Sequence, residues 1–311
     1  MADRVAGRTE TVTAGNKHKR RQFWSGENPF FWLAPAILFL LLYSIFPLLF
    51  NLYRSLFEFS NSRREWVFVE LRNWIKLFTD DPRFINALGV TLQYVAIALL
   101  VQLLLGLVTA LLLDAKPYAS GLMQTLIILP MVTAPAVAGL MFRLLEHSEF
   151  GVLSYAAYST GLLTKDEPLL GGTGQNALLA VLIVDIWQWT PFFVLIILAG
   201  LKGMPLEVLE AAEVDGANWF QRLARIKIPL LFGVITVAVL FRLVDLFKVF
   251  DYIAIMTAGG PALRTETISY YSFVNTFGQI KWGYGSAIGV VIMAIAWISS
   301  WLYQKIFHLK W

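Results

Sequence analysis

Six stretches of this chain are too long and too apolar to belong to a water-soluble fold. Phe30–Tyr53, Phe84–Leu113, Pro117–Phe142 and Trp282–Gln304 carry no charged side chain. Asn176–Leu201 carries Asp185 alone, and Pro229–Met256 carries Arg242, Asp245, Lys248 and Asp251 in its second half. A helix needs about 20 apolar residues to cross the hydrocarbon core of a bilayer. Lipid offers free backbone groups no partner, so apolar spans of this length fold as helices. The pattern predicts an all-α membrane protein with six transmembrane helices, at about 30–53, 85–113, 118–142, 177–201, 229–256 and 283–304. With 58% of its 311 residues hydrophobic and 15% charged, the chain has too little polar surface to clothe a soluble core.

The ends and loops orient those spans. Residues 1–28 are polar and predict a mobile N-terminal tail ahead of a membrane domain at 29–311. The basic cluster Lys17-His18-Lys19-Arg20-Arg21 precedes the first span, where cytoplasmic anchors are placed. The net charge of +4 is therefore assigned to the membrane and not to nucleic acid. The first span is too long for a secretory signal and lacks a small-residue cleavage site, so it reads as retained. Six spans put both termini on one side. A cytoplasmic N-terminus gives thirteen Lys and Arg inside and ten outside. The 11 Trp suit a protein with two interfaces to anchor. There is no Cys, and His18, His147 and His308 lie far apart, so no metal site is expected. Between the first two spans, Asn73–Phe78 reads as a short amphipathic surface helix.

Residues 205–228 form a polar helical loop between spans, including Glu210-Ala-Ala-Glu-Val-Asp-Gly216. Pro205 suits a helix start and Leu206–Val214 favours helix. Asp215-Gly216 then stops it, with Gly free to take a left-handed turn. Asn218, with Gln221 three residues on, predicts a capping box for a second helix. The loop therefore reads as helix, tight turn, helix: a rigid knob. Glu207, Glu210 and Glu213 share one side of it, and Ala211 and Ala212 let another surface approach closely.

This loop resembles the EAA loop of the membrane subunits of ATP-binding-cassette (ABC) importers. Glu210, Ala211, Ala212, Gly216, Ile226 and Pro229 fall in register with that motif, and Ile228 stands where the family has Leu. The resemblance extends through Leu71-Arg-Asn-Trp74, Asp81–Leu88, Ile128-Leu-Pro130, Phe247–Asp251 and Thr257-Ala-Gly-Gly-Pro261 to the carbohydrate-type permeases of the maltose and glycerol-phosphate systems. One departure is Gly89-Val90 before Thr91, where the family has Asn directly before the Thr. The resemblance implies the type I ABC importer permease fold with a cytoplasmic EAA coupling loop. It also implies a bacterial cytoplasmic (inner) membrane location with both termini cytoplasmic. The partners it implies are a second permease, two copies of a cytoplasmic ATPase and an extracytoplasmic solute-binding protein. Coupling to the ATPase would fall on Glu207, Glu210, Ala211, Ala212, Asp215 and Gly216. The chain has no phosphate-cradling Gly-x-x-x-x-Gly-Lys-Ser/Thr, so ATP and Mg are expected on the partner ATPase, with no cofactor here.

Charges inside a span cost about 3 kcal/mol each on insertion scales, so they need partners or a wet cavity. Arg242, Asp245, Lys248 and Asp251 alternate in sign at a spacing of three. Two readings stay open. The stripe pairs along itself, with Arg242 alternatively tied to a neighbouring helix; or it lines a wet solute path. By the resemblance, the substrate-lining positions fall at Asp185, Gln188, Trp189, Phe192, Asp245, Lys248, Val249 and Tyr252. Carboxylates accept from sugar hydroxyls, Lys and Gln donate, and aromatic faces cover apolar sugar faces. Pro130, Pro135 and Pro191 loosen their helices. The function expected is import of a sugar, polyol or related hydroxylated solute by alternating access, without covalent catalysis. The alternative is a proton- or sodium-coupled secondary transporter using Asp185 and Asp245, which would not need the coupling loop.

Overall fold

The computed structural model describes residues 29–60, 64–115 and 120–307. The expected tail at 1–28, with its basic cluster, lies outside the described residues. The described residues form two compact units that divide between Tyr53 and Arg54. The first is described as helix α1 (Trp32–Arg54), with a π-helical turn at Leu41–Ile45. Its residues up to Tyr53 carry no charge and most of its apolar side chains are exposed, as suits a span that meets lipid.

The second unit opens with a hairpin of β1 (Phe57–Ser60) and β2 (Glu65–Phe68), antiparallel with Phe57 opposite Phe68 and Phe59 opposite Trp66. These cross-strand aromatic pairs meet edge-on at 5.3 Å. The hairpin is an addition to the all-helical expectation. Its signal, aromatics alternating with polar residues, is present in the sequence but short. Helix α2 (Arg72–Thr79) is the expected surface helix. Its buried Asn73 donates to the carbonyls of Ser55 and Phe57, at 2.9 and 3.0 Å, which docks the hairpin.

Helix α3 (Pro82–Asp114) follows, capped by Asp81, whose side chain accepts from the Phe84 N–H. Then come α4 (Ser120–Val132), α5 (Pro135–Leu145), α6 (Val152–Ser159), α7 (Ala177–Lys202), α8 (Leu206–Val214) and α9 (Trp219–Leu246). The last two helices are α10 (Ile268–Phe273) and α11 (Trp282–Ile306). Among the described residues five helices are long and apolar enough to cross a membrane, or six if α4 and α5 count as one broken span. Helix α3 lies close against α7. A Cβ on Gly106 would come within 2.4 Å of the Phe193 Cβ, so a side chain there would push the two helices apart.

Two stretches differ from the sequence expectation, and both differences shape the site. The third span is not one helix: α4 and α5 meet at 97° across Thr133-Ala134. Ala134 is extended (φ −66°, ψ 135°), as the residue before a proline prefers, and Pro135 opens α5. The fifth helix ends at Leu246, ten residues short of Met256, the end of the apolar stretch that predicted it. It leaves helical geometry at Phe247–Phe250 and resumes as a π-helical turn at Ile253–Thr257. The freed carbonyls find partners nearby. Ser269 Oγ donates to Phe247 O and Thr267 Oγ1 to Val249 O, each at 3.1 Å. Broken helices persist at membrane depth only when neighbours satisfy the backbone in this way.

Side chains at the start of α3 hold this same segment. Arg83 grips the fully buried Glu266 with two bonds of 2.7 Å. Thr91 Oγ1, next to the Gly89-Val90 departure, accepts from the Ile268 N–H at 2.8 Å. Asp81 accepts from the hydroxyls of Tyr271 and Tyr284. Burial pushes its carboxyl up, but the hydrogen bonds from both tyrosines and from the backbone outweigh burial and hold it below the ordinary value.

Glu146, directly after α5, is buried, and both carboxyl oxygens lack a hydrogen-bond partner among the described residues. Burial pushes its pKa up to about 8. A carboxyl favoured neutral in the folded state stabilises most below its ordinary value of 4.5, and that contribution is lost as pH rises through about 8. The melting temperature of the purified protein should therefore fall over this window in the wild type and less in Glu146→Gln. Identical pH profiles for the two proteins would contradict it.

Candidate functional site

Arg242, near the end of α9, is the centre of a buried ionic knot. Its Nη2 meets Asp185 Oδ1 on α7 at 2.6 Å, and its Nε donates to Gln102 Oε1 on α3 at 2.9 Å. Its Nη1 pairs with Asp245 one turn on. Gln102 closes the ring by donating to Asp185 Oδ2 at 2.9 Å. The guanidinium lies 4.6 Å from the centre of the Trp189 ring. Arg242 and Asp185 are 3% and 1% exposed, while Asp245 remains 45% exposed. The stripe thus pairs along itself at Arg242–Asp245 and also ties α9 to two neighbours. Lys248 continues it at 3.8 Å from Asp245, and among the described residues the pairing does not reach Asp251.

Gln188 on α7 occupies the bend in the third span. Its Nε2 donates to Thr133 O at 2.6 Å, satisfying a carbonyl that the break sets free. Its Oε1 accepts from the Tyr252 hydroxyl at 2.7 Å, and that hydroxyl accepts from Trp189 Nε1 at 3.2 Å. One amide therefore links the break in the third span to the segment beyond the break in the fifth.

Around these groups lies a recess of about 100 Å³, walled by Asp185, Trp189, Asp245, Lys248, Val249 and Tyr252, with Pro135, Arg242 and Phe250. Small-molecule pockets start at about 300 Å³, so this chain alone, in this conformation, does not enclose a solute. Of the positions expected to line a substrate path, Gln188 and Phe192 are not on the wall. Gln188 stands behind it, and Phe192 packs edge-on to Phe193 in the apolar cluster nearer the loop. Asp245 and Lys248 do not lie one turn apart on a continuous helix, because Lys248 is beyond the last turn of α9. The sequence reading missed Gln102 and Thr133. Gln102 is one of two Gln in the charge-free run Phe84–Leu113, the other being Gln93, and that polar residue among apolar ones was the available signal for the first.

At the opposite end of α9 the loop forms as helix, turn, helix. Asp215 caps α8, Gly216 takes φ 80°, and Asn218 and Gln221 make the capping box. Pro205 stands just before α8 rather than in its first turn. Glu207, Glu210, Ala211, Asp215 and Gly216 are exposed and Ala212 half-buried. Glu213 turns back to Arg222 at 2.9 Å. Leu206, Val214, Trp219 and Phe220 are also exposed, so the surface is apolar as well as acidic. The second loop helix is not separate from the membrane span: both are α9. A π-helical turn at Leu223–Lys227 ends two residues before Pro229, where the missing N–H breaks the regular ladder.

The sequence and fold match known proteins along nearly their whole length. Residues 102–308 match the family described as "Binding-protein-dependent transport system inner membrane component". The probable ABC transporter permease protein y4oQ of Sinorhizobium fredii is 33% identical over 96% of this chain and 97% of its own. The trehalose/maltose transport system permease protein MalF of Thermococcus litoralis is 29% identical, over 88% and 91%. The fold matches a chain of the solved bacterial alginate ABC transporter in complex with its alginate pentasaccharide-bound periplasmic protein. That match has a TM-score of 0.74 at 19% identity and covers 93% and 96% of the two chains.

If Gln188 holds the break, Gln188→Leu strands the Thr133 carbonyl and the Tyr252 hydroxyl. Leaving a buried polar group unsatisfied costs about 1–3 kcal/mol. The unfolding midpoint of the purified variant should drop accordingly. An unchanged midpoint would mean the amide does not hold the two breaks together.

Proposed function

Since this chain belongs to the binding-protein-dependent transport system inner membrane components, we propose that it lines half of the import path for a sugar, polyol or related hydroxylated solute. It is a multi-pass permease subunit of an ABC importer in the inner membrane, a transport component and not an enzyme. The trehalose/maltose system named for one relative supports the hydroxylated substrate class. A secondary transporter driven through Asp185 and Asp245 has no role for the loop. It would also have to break the buried Asp185–Arg242 pair at every cycle.

One observation carries the proposal: α9 is a single 28-residue helix with the exposed loop at its start and the walled recess at its end. Two copies of a cytoplasmic ATPase, binding ATP and Mg, would close under the loop. Glu207 and Glu210 offer charge to a basic groove there, Ala211 and Ala212 allow close approach, and Asp215-Gly216 keep the turn tight. The push travels along α9 to Arg242. With the second permease facing it, the recess then opens toward the extracytoplasmic solute-binding protein. In this reading Asp245, Lys248, Val249, Trp189 and Tyr252 meet the solute. Asp185 and Gln188 hold the walls, and Phe192 stands toward the loop side. Both termini and the loop share the cytoplasmic face.

Glu210→Lys puts like charge against the groove without touching an internal contact. The ATPase should copurify less and solute uptake should fall, while the variant inserts at the wild-type level. Full recovery of the ATPase with the variant would contradict docking at this loop.

A further inference from the structure

We propose that the Asp114–Lys227 ion pair is a clamp that makes α3 move as one body with the coupling loop; this rests on the loop reading above. Lys227 Nζ stands 2.7 Å from Asp114 Oδ2, with the two side chains 21% and 24% exposed. Asp114 is the last residue of α3, where the carbonyl end of the helix dipole disfavours a carboxylate. Lys227 supplies the cation that makes this placement tolerable, and it closes the π-helical turn before Pro229.

Among the described residues, no other ion pair or side-chain hydrogen bond joins the end of α3 to the loop. A cleft of about 380 Å³ separates the end of α3 from the loop, walled by Leu111, Asp114, Leu209, Glu210, Trp219 and Lys227. The ion pair crosses that gap as a strut. A second strut, Glu213–Arg222 at 2.9 Å, fastens α8 to the first turn of α9 across the Gly216 turn. A push on α8 therefore enters both α9 and α3. Both helices lead to the same knot, α9 through Arg242 and α3 through Gln102. With the clamp intact the knot is carried as a unit. Without it, α9 would slide against α3 and part of the stroke would be lost before reaching the recess. Asp114 and Lys227 are thus positioning residues that act through the helices they join.

The chain has no Cys, so a labelled pair can be introduced cleanly. Leu112 and Val214 are 65% and 86% exposed, one on α3 and one on α8, and Leu112→Cys with Val214→Cys carries two spin labels. Distances are measured by pulsed electron resonance in the full complex with its ATPase, without nucleotide and after trapping with ATP and vanadate. The clamp predicts one unchanged distance distribution for the parent protein. Asp114→Asn and Lys227→Gln should each shift or broaden it on trapping, and the exchange Asp114→Lys with Lys227→Asp should restore it. A merely structural pair would not give nucleotide-dependent broadening with charge-swap rescue. A distance that changes with ATP in the parent, or single variants that match the parent, would overturn the proposal. So would loss of the ATPase from both single variants, since the pair would then serve docking. Failure of the loop reading itself shows separately, as an ATPase that stays bound to Glu210→Lys.

Discussion

A guanidinium buried in a membrane span is the constraint that orders the rest of this molecule. Arg242 is 3% exposed and cannot shed its charge. It must be surrounded by acceptors, and those acceptors come from three helices: Asp185 on α7, Gln102 on α3 and Asp245 on α9. Removing one partner of a buried pair costs about 3–5 kcal/mol, because the remaining charge is left uncompensated. Such a knot fixes the rotation and depth of each helix more sharply than apolar packing in lipid, where the hydrophobic effect does not drive helix against helix. The Gly106–Phe193 contact sets how near α3 and α7 come; the knot sets their register.

Order at the knot is what permits disorder in the helices beside it. The third span bends by 97° and the fifth ends early, and both breaks sit within one hydrogen bond of the knot's neighbours. Gln188 serves the Thr133 carbonyl, while Thr267 and Ser269 serve Val249 and Phe247. The non-helical segment supplies Lys248, Val249 and Phe250 to the wall of the recess. On the other side α9 stays helical from the Gly216 turn to Arg242, with the π-helical turn at Leu223–Lys227 within it.

The spans were legible from apolar length, four of them free of charge, and α3, α7 and α11 begin and end within a few residues of where hydropathy puts them. The loop was legible because capping chemistry is local: Asn218, Gln221 and Gly216 do what their side chains dictate at that spacing. Breaks within apolar runs were less legible. Pro130 and Pro135 marked the third span, but Phe247–Phe250 contains no Gly or Pro, and its opening depends on Thr267 and Ser269 far along the chain. Hydropathy has no means to register a distant hydroxyl. The eight expected lining positions came from the family resemblance, and six of them stand on the wall of the recess. Direction was not legible: Gln188 and Phe192 share a helix with Trp189 yet point elsewhere, and which way each faces is settled by Tyr252 and Phe193.

A double-mutant cycle across Asp185 and Arg242 addresses the knot directly. Asp185→Asn, Arg242→Gln and the double variant would be unfolded under one detergent condition. If the pair is the buried charge balance described, each single change should cost about 3–5 kcal/mol, and the double should cost little more than one of them. Additive single effects would mean that the two side chains do not depend on each other, and the knot would lose its place at the centre of the fold.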